Sequence, residues 1–285
     1  MMKSSAHAFL RKKPIACVTG AAMLAMTAPV SAQSASGAPQ DGDWRVAVGI
    51  GALHAPIFPG AGKSEIRPAP YLSIGYRDRF FVRGPAAGVN LFRFGRDGRF
   101  RLGVMMRITP EAEWDKADDR ALHRLGKIWA GADAGVFGSY RGTSWFAELA
   151  ATKGIVLREE RHEKRTRASG MAVELGFGYA ARITPRLRWT AQANVHWADA
   201  ARARTYFGIS DAQSAATGLK PYRPQAGVAS YGLTTTLDYA FAKRWNVLGL
   251  VGYARLAGEA RDSPIVTGDG KVNQLYTGVF LGYRF

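Results

Sequence analysis

The chain has 285 residues and a formal charge of +17, from 39 Lys and Arg against 22 Asp and Glu. It is 47% hydrophobic, yet no run of 18 apolar residues occurs, which excludes bilayer-spanning helices. The one cysteine, Cys17, excludes a disulfide framework.

Met1 to Pro14 carries Lys3, Arg11, Lys12 and Lys13 and no acid, Ile15 to Ala28 is apolar, and Val30-Ser31-Ala32 is a small-residue cleavage site. This reads as a secretory signal over residues 1–32, because the apolar core is too short to span a bilayer. Cys17 lies inside that core, so the mature chain has no thiol and depends on its ladder and packing. Cleavage leaves 35 Lys and Arg against 22 acids, a formal +13. A basic chain invites nucleic acid as a partner, but the export signal and the lack of a reading motif argue against it. Residues 33–43 form a polar tail of small residues, expected to be poorly ordered on the periplasmic side.

From Trp44 onward the pattern is strand after strand. Trp44 to His54 alternates Trp44, Val46, Val48, Ile50 and Ala52 on one face, and a Pro/Gly loop follows over Ala55 to Ser64. Glu65 to Arg77 keeps Ile66, Leu72, Ile74 and Tyr76 in phase, although Pro68 and Pro70 each remove a ladder donor. Short strands are expected at Arg79 to Arg83 and Ala86 to Phe94, then a tight turn at Gly95-Arg96-Asp97-Gly98. Arg99 to Ile108 sets Phe100, Leu102, Val104, Met106 and Ile108 against Arg99, Arg101, Gly103, Met105 and Arg107. An arginine face opposite an aliphatic face suits a hydrated lumen inside a lipid-facing wall.

Further strands are expected at Lys127 to Tyr140, Thr143 to Leu157, Gly170 to Ile183, Arg186 to Trp197, Gly227 to Phe241 and Arg244 to Leu256, the last apolar on both faces. Lys271 to Phe285 closes the chain, with Leu275, Thr277, Val279, Leu281, Tyr283 and Phe285 on one side. Val279, Leu281, Tyr283 and Phe285 form a candidate C-terminal signal for the barrel-assembly machinery. Connections near 96–97, 141–142, 184–185 and 242–244 are short, and those near 109–126, 158–169, 198–226 and 257–271 are long. Short periplasmic turns and long outer loops are the habit of bacterial outer-membrane barrels. The expectation is therefore an all-β, single transmembrane antiparallel up-and-down β-barrel over residues 44–285 in the Gram-negative outer membrane. It has twelve strands, or ten if the Arg79 to Phe94 pair is misread.

The candidate lumen-lining residues are Arg101, Arg107, Glu148, Glu174, Arg188, Gln192, Asn194, His196 and Asp238. Their mixed charges either cross-link the wall or line a narrow path for small polar solutes. A hydrolase needs a nucleophile and a base that meet. His54, His123, His162 and His196 occur in no such motif, although His196 faces the lumen and Ser230 and Asp238 lie on the next strand. No cluster has metal-ligand spacing, Asp115, Asp118 and Asp119 read as solvated, and no cofactor is called for. The stretch REERHEKRTR offers Arg158, Arg161, Lys164, Arg165 and Arg167 to the phosphates of lipopolysaccharide, or is simply a solvated loop tip.

GIGALHAPIFPGAGKSEIRPAPYLSIGY (Gly49 to Tyr76), RTYFGIS (Arg204 to Ser210), ARLAGEARDSPIV (Ala254 to Val266) and the ending GYRF together resemble the MltA-interacting protein (MipA/OmpV) family. The resemblance spans essentially the whole mature chain. It departs in the first loop, where Phe58-Pro59-Gly60-Ala61-Gly62 replaces a Tyr-Gly-Ser-like element. It implies an outer-membrane protein surrounded by lipid and lipopolysaccharide, with no shared catalytic motif. Family members are described as scaffolds joining a lytic transglycosylase to a penicillin-binding protein, and others as adhesins or factors in antibiotic susceptibility. Short periplasmic turns and the tail offer little of the 1,200–2,000 Å² that stable interfaces typically bury, so such a contact is expected to be weak or transient.

Overall fold

The computed structural model describes residues 43–109, 112, 114–155, 166–167 and 169–285, with the side chains of residues 96, 166 and 167 left aside. Residues 1–42, which include the expected signal and most of the expected tail, and residues 156–165 lie outside the described residues.

Twelve antiparallel strands close into one barrel. In chain order they are β1 (Trp44–Pro56), β2 (Ser64–Tyr76), β3 (Phe80–Arg83), β4 (Ala86–Phe94), β5 (Phe100–Thr109), β6 (Gly131–Arg141), β7 (Trp145–Ile155), β8 (Met171–Thr184), β9 (Leu187–Ala198), β10 (Gly227–Ala240), β11 (Trp245–Leu256) and β12 (Asn273–Arg284). Each strand pairs with the next, and β1 closes on β12 from Ala47 opposite Arg284 to His54 opposite Thr277. The doubtful pair of short strands is real, so the count is twelve. The sixth strand starts later than the periodicity suggests, because Ile128–Trp129 leaves the wall to pair in parallel with Thr166–Arg167.

Alternation decides which way each side chain faces. On β5, Phe100, Leu102, Val104, Met106 and Ile108 are exposed on the outside, while Met105, Arg107 and Thr109 are buried inside. The register orients β11, which periodicity leaves open: Val251 and Tyr253 face out, and Leu250, Ala254 and Leu256 face in.

An aromatic belt rings the short-turn end. Trp44, Tyr76 and Phe80 are in contact, as are Phe94, Phe100, Tyr140, Trp145 and Phe177 in sequence, then Tyr179 with Trp189, and Trp245 with Tyr283 and Phe285. Such rings hold amphipathic side chains at the membrane–water interface. Val279 and Leu281 lie exposed on the outer face of β12.

Inside, large rings lie over glycines. A Cβ added at Gly178 would meet the Phe146 ring at 2.2 Å, at Gly51 the Phe280 ring at 2.5 Å, and at Gly88 the Phe81 ring at 2.5 Å. Phe81 and Phe137 meet edge to face with centroids 5.5 Å apart, and with Met105 they form one buried cluster. These glycines give the rings the depth to fold flat against the wall, which is how side chains fill this lumen. We expect Gly178→Val to destabilise the barrel by about 1–3 kcal/mol, the usual cost of overpacking. Adding Phe146→Ala should recover part of that loss in urea unfolding followed by heat-modifiable gel mobility, and strict additivity would reject the nesting.

Candidate functional site: the capped lumen and its ion network

The long connections fold into a lid over the long-loop end. Asp199 caps α1 (Ala200–Phe207) by accepting from the Arg202 amide, and Ser210 and Gln213 form a capping box at α2 (Asp211–Thr217). Two one-turn helices, Gly258–Arg261 and Pro264–Thr267, complete it. Ile57 and Phe58 from the first loop, Trp114, Leu122, Leu125 and Ile128 from the third, Tyr206, Phe207 and Ile209, and Ile265 and Val266 share one buried cluster. The first loop is therefore part of a core. Gly60, at φ +88, turns it, and its amide donates to Gln274 at 3.2 Å. Ser263 is fully buried and donates to the Phe207 carbonyl at 2.7 Å, tying two loops together.

Below the lid lies a chain of buried charge. Asp133 on β6 has no exposed surface, and Arg202 of α1 reaches down to it with two bonds of 2.8 and 2.9 Å. Arg107 sits 3.7 Å from the same carboxylate, donates to Thr152 at 3.2 Å and bonds Glu174. His196 Nδ1 stands 3.6 Å from Glu174. Burial works against the Arg202 charge, but its paired bonds to Asp133 hold the guanidinium pKa above its ordinary value, and the Tyr206 hydroxyl beside it is pushed up by burial. The Arg202 guanidinium also lies 5.4 Å from the centre of the Tyr206 ring.

All nine candidate lumen residues occupy inward positions. Arg107, Glu174 and His196 join the network just described. Asp238 accepts from Arg284 at 2.9 Å and Asn246 at 2.8 Å and lies opposite Arg188 in the register. Gln192 and Asn194 are buried, Arg101 lies opposite Arg93 and Glu148 opposite Ser139. Arg158, Arg161, Lys164 and Arg165 lie outside the described residues, and only the backbone of Arg167 lies within them. Asp118 is bonded to Lys63 at 3.0 Å, so its reading as a purely solvated acid is incomplete. His123 bonds the Ala117 carbonyl at 2.8 Å, and His54 sits half-buried on β1.

Glu174, His196 and Ser230 share one row across β8, β9 and β10. However, neither His196 Nε2 nor Ser230 Oγ has a hydrogen-bond partner in the protein, so the nucleophile and base do not engage. Among the described residues, no group of three His, Cys, Asp or Glu could hold a metal ion.

A family model described as MltA-interacting protein MipA matches residues 48–285. The chain belongs to this family. MltA-interacting proteins from Escherichia coli strain K12 and from Shigella flexneri are each 27% identical to it over 245 residues, covering 82% of this chain and 88% of theirs. Among solved structures, the outer-membrane channel DcaP of Acinetobacter baumannii is 10% identical with a TM-score of 0.38, covering 85% of this chain and 96% of that one. This MipA-family barrel is an outer-membrane protein.

The sequence reading missed Asp133 and Arg202, a deeply buried ion pair. The visible signal was an acid at an inward position of β6, in GADAGVF, where every neighbour is small or apolar. Removing one partner strands a buried charge, so Arg202→Met should cost about 3–5 kcal/mol. Pairing it with Asp133→Asn should restore much of that. Limited proteolysis within residues 199–226 reads the result: nicking that rises in the single variant and falls in the double supports the latch, and equal nicking in both rejects it.

Proposed function

We propose that this barrel is a non-enzymatic docking platform whose short-turn, periplasmic face holds a peptidoglycan-remodelling enzyme, a lytic transglycosylase in the first instance. The name carried by its relatives supports the partner class, and the charge of that face carries the reading. Arg77 and Arg79, Arg99, Arg186, Lys243 and Arg244 stand exposed on the short turns, against the exposed acids Asp43 and Asp97. Arg77 bonds Asp43 at 2.6 Å, which ties the root of the N-terminal tail to this face. Asp43 is thereby held below the usual carboxylate range, first by that hydrogen bond.

A dense positive rim steers an acidic partner without needing a large buried area, which suits a weak and reversible contact. Buried inward side chains such as Gln192, Asn194 and the Arg107–Glu174 pair favour a docking role over a solute path, and the unengaged Ser230 and His196 lend nothing to hydrolysis. In the same reading, residues 1–32 are removed on export, the tail up to Asp43 adds to the contact, and the cations between Arg158 and Arg167 face lipopolysaccharide phosphates. Val279, Leu281, Tyr283 and Phe285 serve barrel assembly, and a penicillin-binding protein joins through the transglycosylase.

The test is binding of the purified lytic transglycosylase to the refolded barrel in bilayers. Reversing Arg186, Lys243 and Arg244 to Glu should weaken it by about tenfold or more, roughly 1.4 kcal/mol. Raising the salt toward 0.3 M should weaken it comparably. Binding that ignores both changes places the dock elsewhere.

A further inference from the structure

The lipid face carries a groove that runs across the strands. Thr235 on β10, Val251 on β11, Thr277 on β12 and His54 on β1 stand opposite one another in a single outward row. Leu237, Gly249, Val279 and Ala52 form the next row toward the short turns. A furrow of about 420 Å³ follows these two rows. Its margins are bulky: Leu233, Tyr253 and Leu275 stand exposed on the long-loop side, and Tyr239, Leu281 and Ile50 on the other. Floor and margins alike belong to strands that are paired on both sides there.

The floor is low because its side chains are small, and Gly249 is the clearest case. Gly51, Gly88 and Gly178 lie under rings of this chain, and on the outward face Leu102 comes within 3.0 Å of where a Cβ at Gly138 would stand. At Gly249 the nearest atom to that point is the Leu237 carbonyl oxygen at 4.0 Å, so the protein's own packing has no use for the missing side chain. A glycine inside a strand weakens it and often marks the close approach of a ligand or another backbone. Thr235 asks nothing polar of an occupant. Its hydroxyl accepts from Trp189 at 2.8 Å and donates to the Thr190 carbonyl at 3.2 Å.

The groove slants through the apolar band. Gly249 is four positions beyond Trp245 of the aromatic belt, and His54 is ten beyond Trp44. At about 2.5 Å of height per residue in a tilted strand, they lie roughly 10 and 25 Å above the belt, in a band about 25 Å tall. The His54 end therefore opens at the outer leaflet. Cations stand beyond it. Arg255 is exposed and bonds Asn273 at 2.9 Å, and Lys271 is exposed on a segment tied to the first loop by its amide bond to the Gly60 carbonyl at 2.9 Å. Asp269, two residues before Lys271, already accepts from the Asp119 amide at 3.1 Å.

We propose that this groove is a lipopolysaccharide site, in which one acyl chain lies along the two rows and a phosphate of the head meets Arg255 and Lys271. Outward residues on one strand are about 7 Å apart, so a floor two rows wide matches a hydrocarbon chain better than a helix about 10 Å across. A second barrel presents a convex wall, which would rest on the bulky margins and leave the floor empty. An exposed arginine and lysine suit a phosphorylated head through charge-assisted bonds. The site is independent of any partner docked at the short-turn rim.

The full barrel is reconstituted in phosphatidylethanolamine vesicles containing deep-rough lipopolysaccharide, released into mild detergent and weighed by native mass spectrometry. The expected result is lipopolysaccharide retained on the wild-type barrel, its retention lowered about tenfold or more by Gly249→Leu, which fills the floor. Val104→Leu, on the lipid face of β5, should leave it unchanged, and Arg255→Gln with Lys271→Gln should lower it. Equal retention in wild type and Gly249→Leu overturns the proposal. So does retention of phosphatidylethanolamine in its place, or a pair of barrels that Gly249→Leu separates. Heat-modifiable gel mobility checks folding, and Ala52→Leu, which fills the other half of the same row, takes the place of Gly249→Leu if that variant does not fold.

Discussion

Hydrocarbon offers no water to an amide, and this single fact organises the molecule. A strand in a membrane must spend both sets of backbone groups on neighbours, so the chain closes on itself, with β1 bonded to β12 and no free edge around most of the ring. Closure fixes the register, and the register fixes the alternation: outward Leu, Val, Ile and Phe meet lipid while inward Arg, Asn, Gln and Gly meet one another. The belt of Trp, Tyr and Phe at the short-turn end then sets the height of the barrel in the bilayer.

A closed wall of this size encloses more space than backbone alone fills, and the chain fills it from two directions. Phe81, Phe137, Phe146 and Phe280 lie flat over glycines of neighbouring strands, so the ring volume is accommodated by the missing Cβ. From above, Arg202 enters on α1 and meets Asp133, a buried carboxylate that it pairs through two hydrogen bonds. The ion pair and the lid are thus one device: the apolar cluster of the loops positions Arg202, and Arg202 pins those loops to the wall. The opposite rim carries the exposed basic turns on which the functional reading rests.

The strands were legible because lipid on one side and a polar lumen on the other impose a period of two, as in Phe100 to Ile108. β11 could not be oriented from sequence because Leu248, Leu250 and Leu256 make its inner face as apolar as its outer one, and only pairing with Leu275 to Tyr283 settles it. The lid escaped notice for a different reason. Its helices are short, and what stabilises them is a cluster drawn from four loops, a long-range fact no local period reports. The Ser210 to Gln213 capping box was nonetheless readable, as was the Asp199 cap. Asp133 and Arg202 are 69 positions apart, and no spacing rule links them.

Pro68 and Pro70 bring these threads together. A central strand does not tolerate two prolines, because each breaks a ladder bond on one side. β2 tolerates them because its bonds to β1 use the alternate residues, and the prolines fall where no neighbour asks for a donor. The short β3–β4 hairpin and the proline pair are therefore two halves of one arrangement: the β2–β3 ladder stops at Leu72, and the prolines follow directly where it stops.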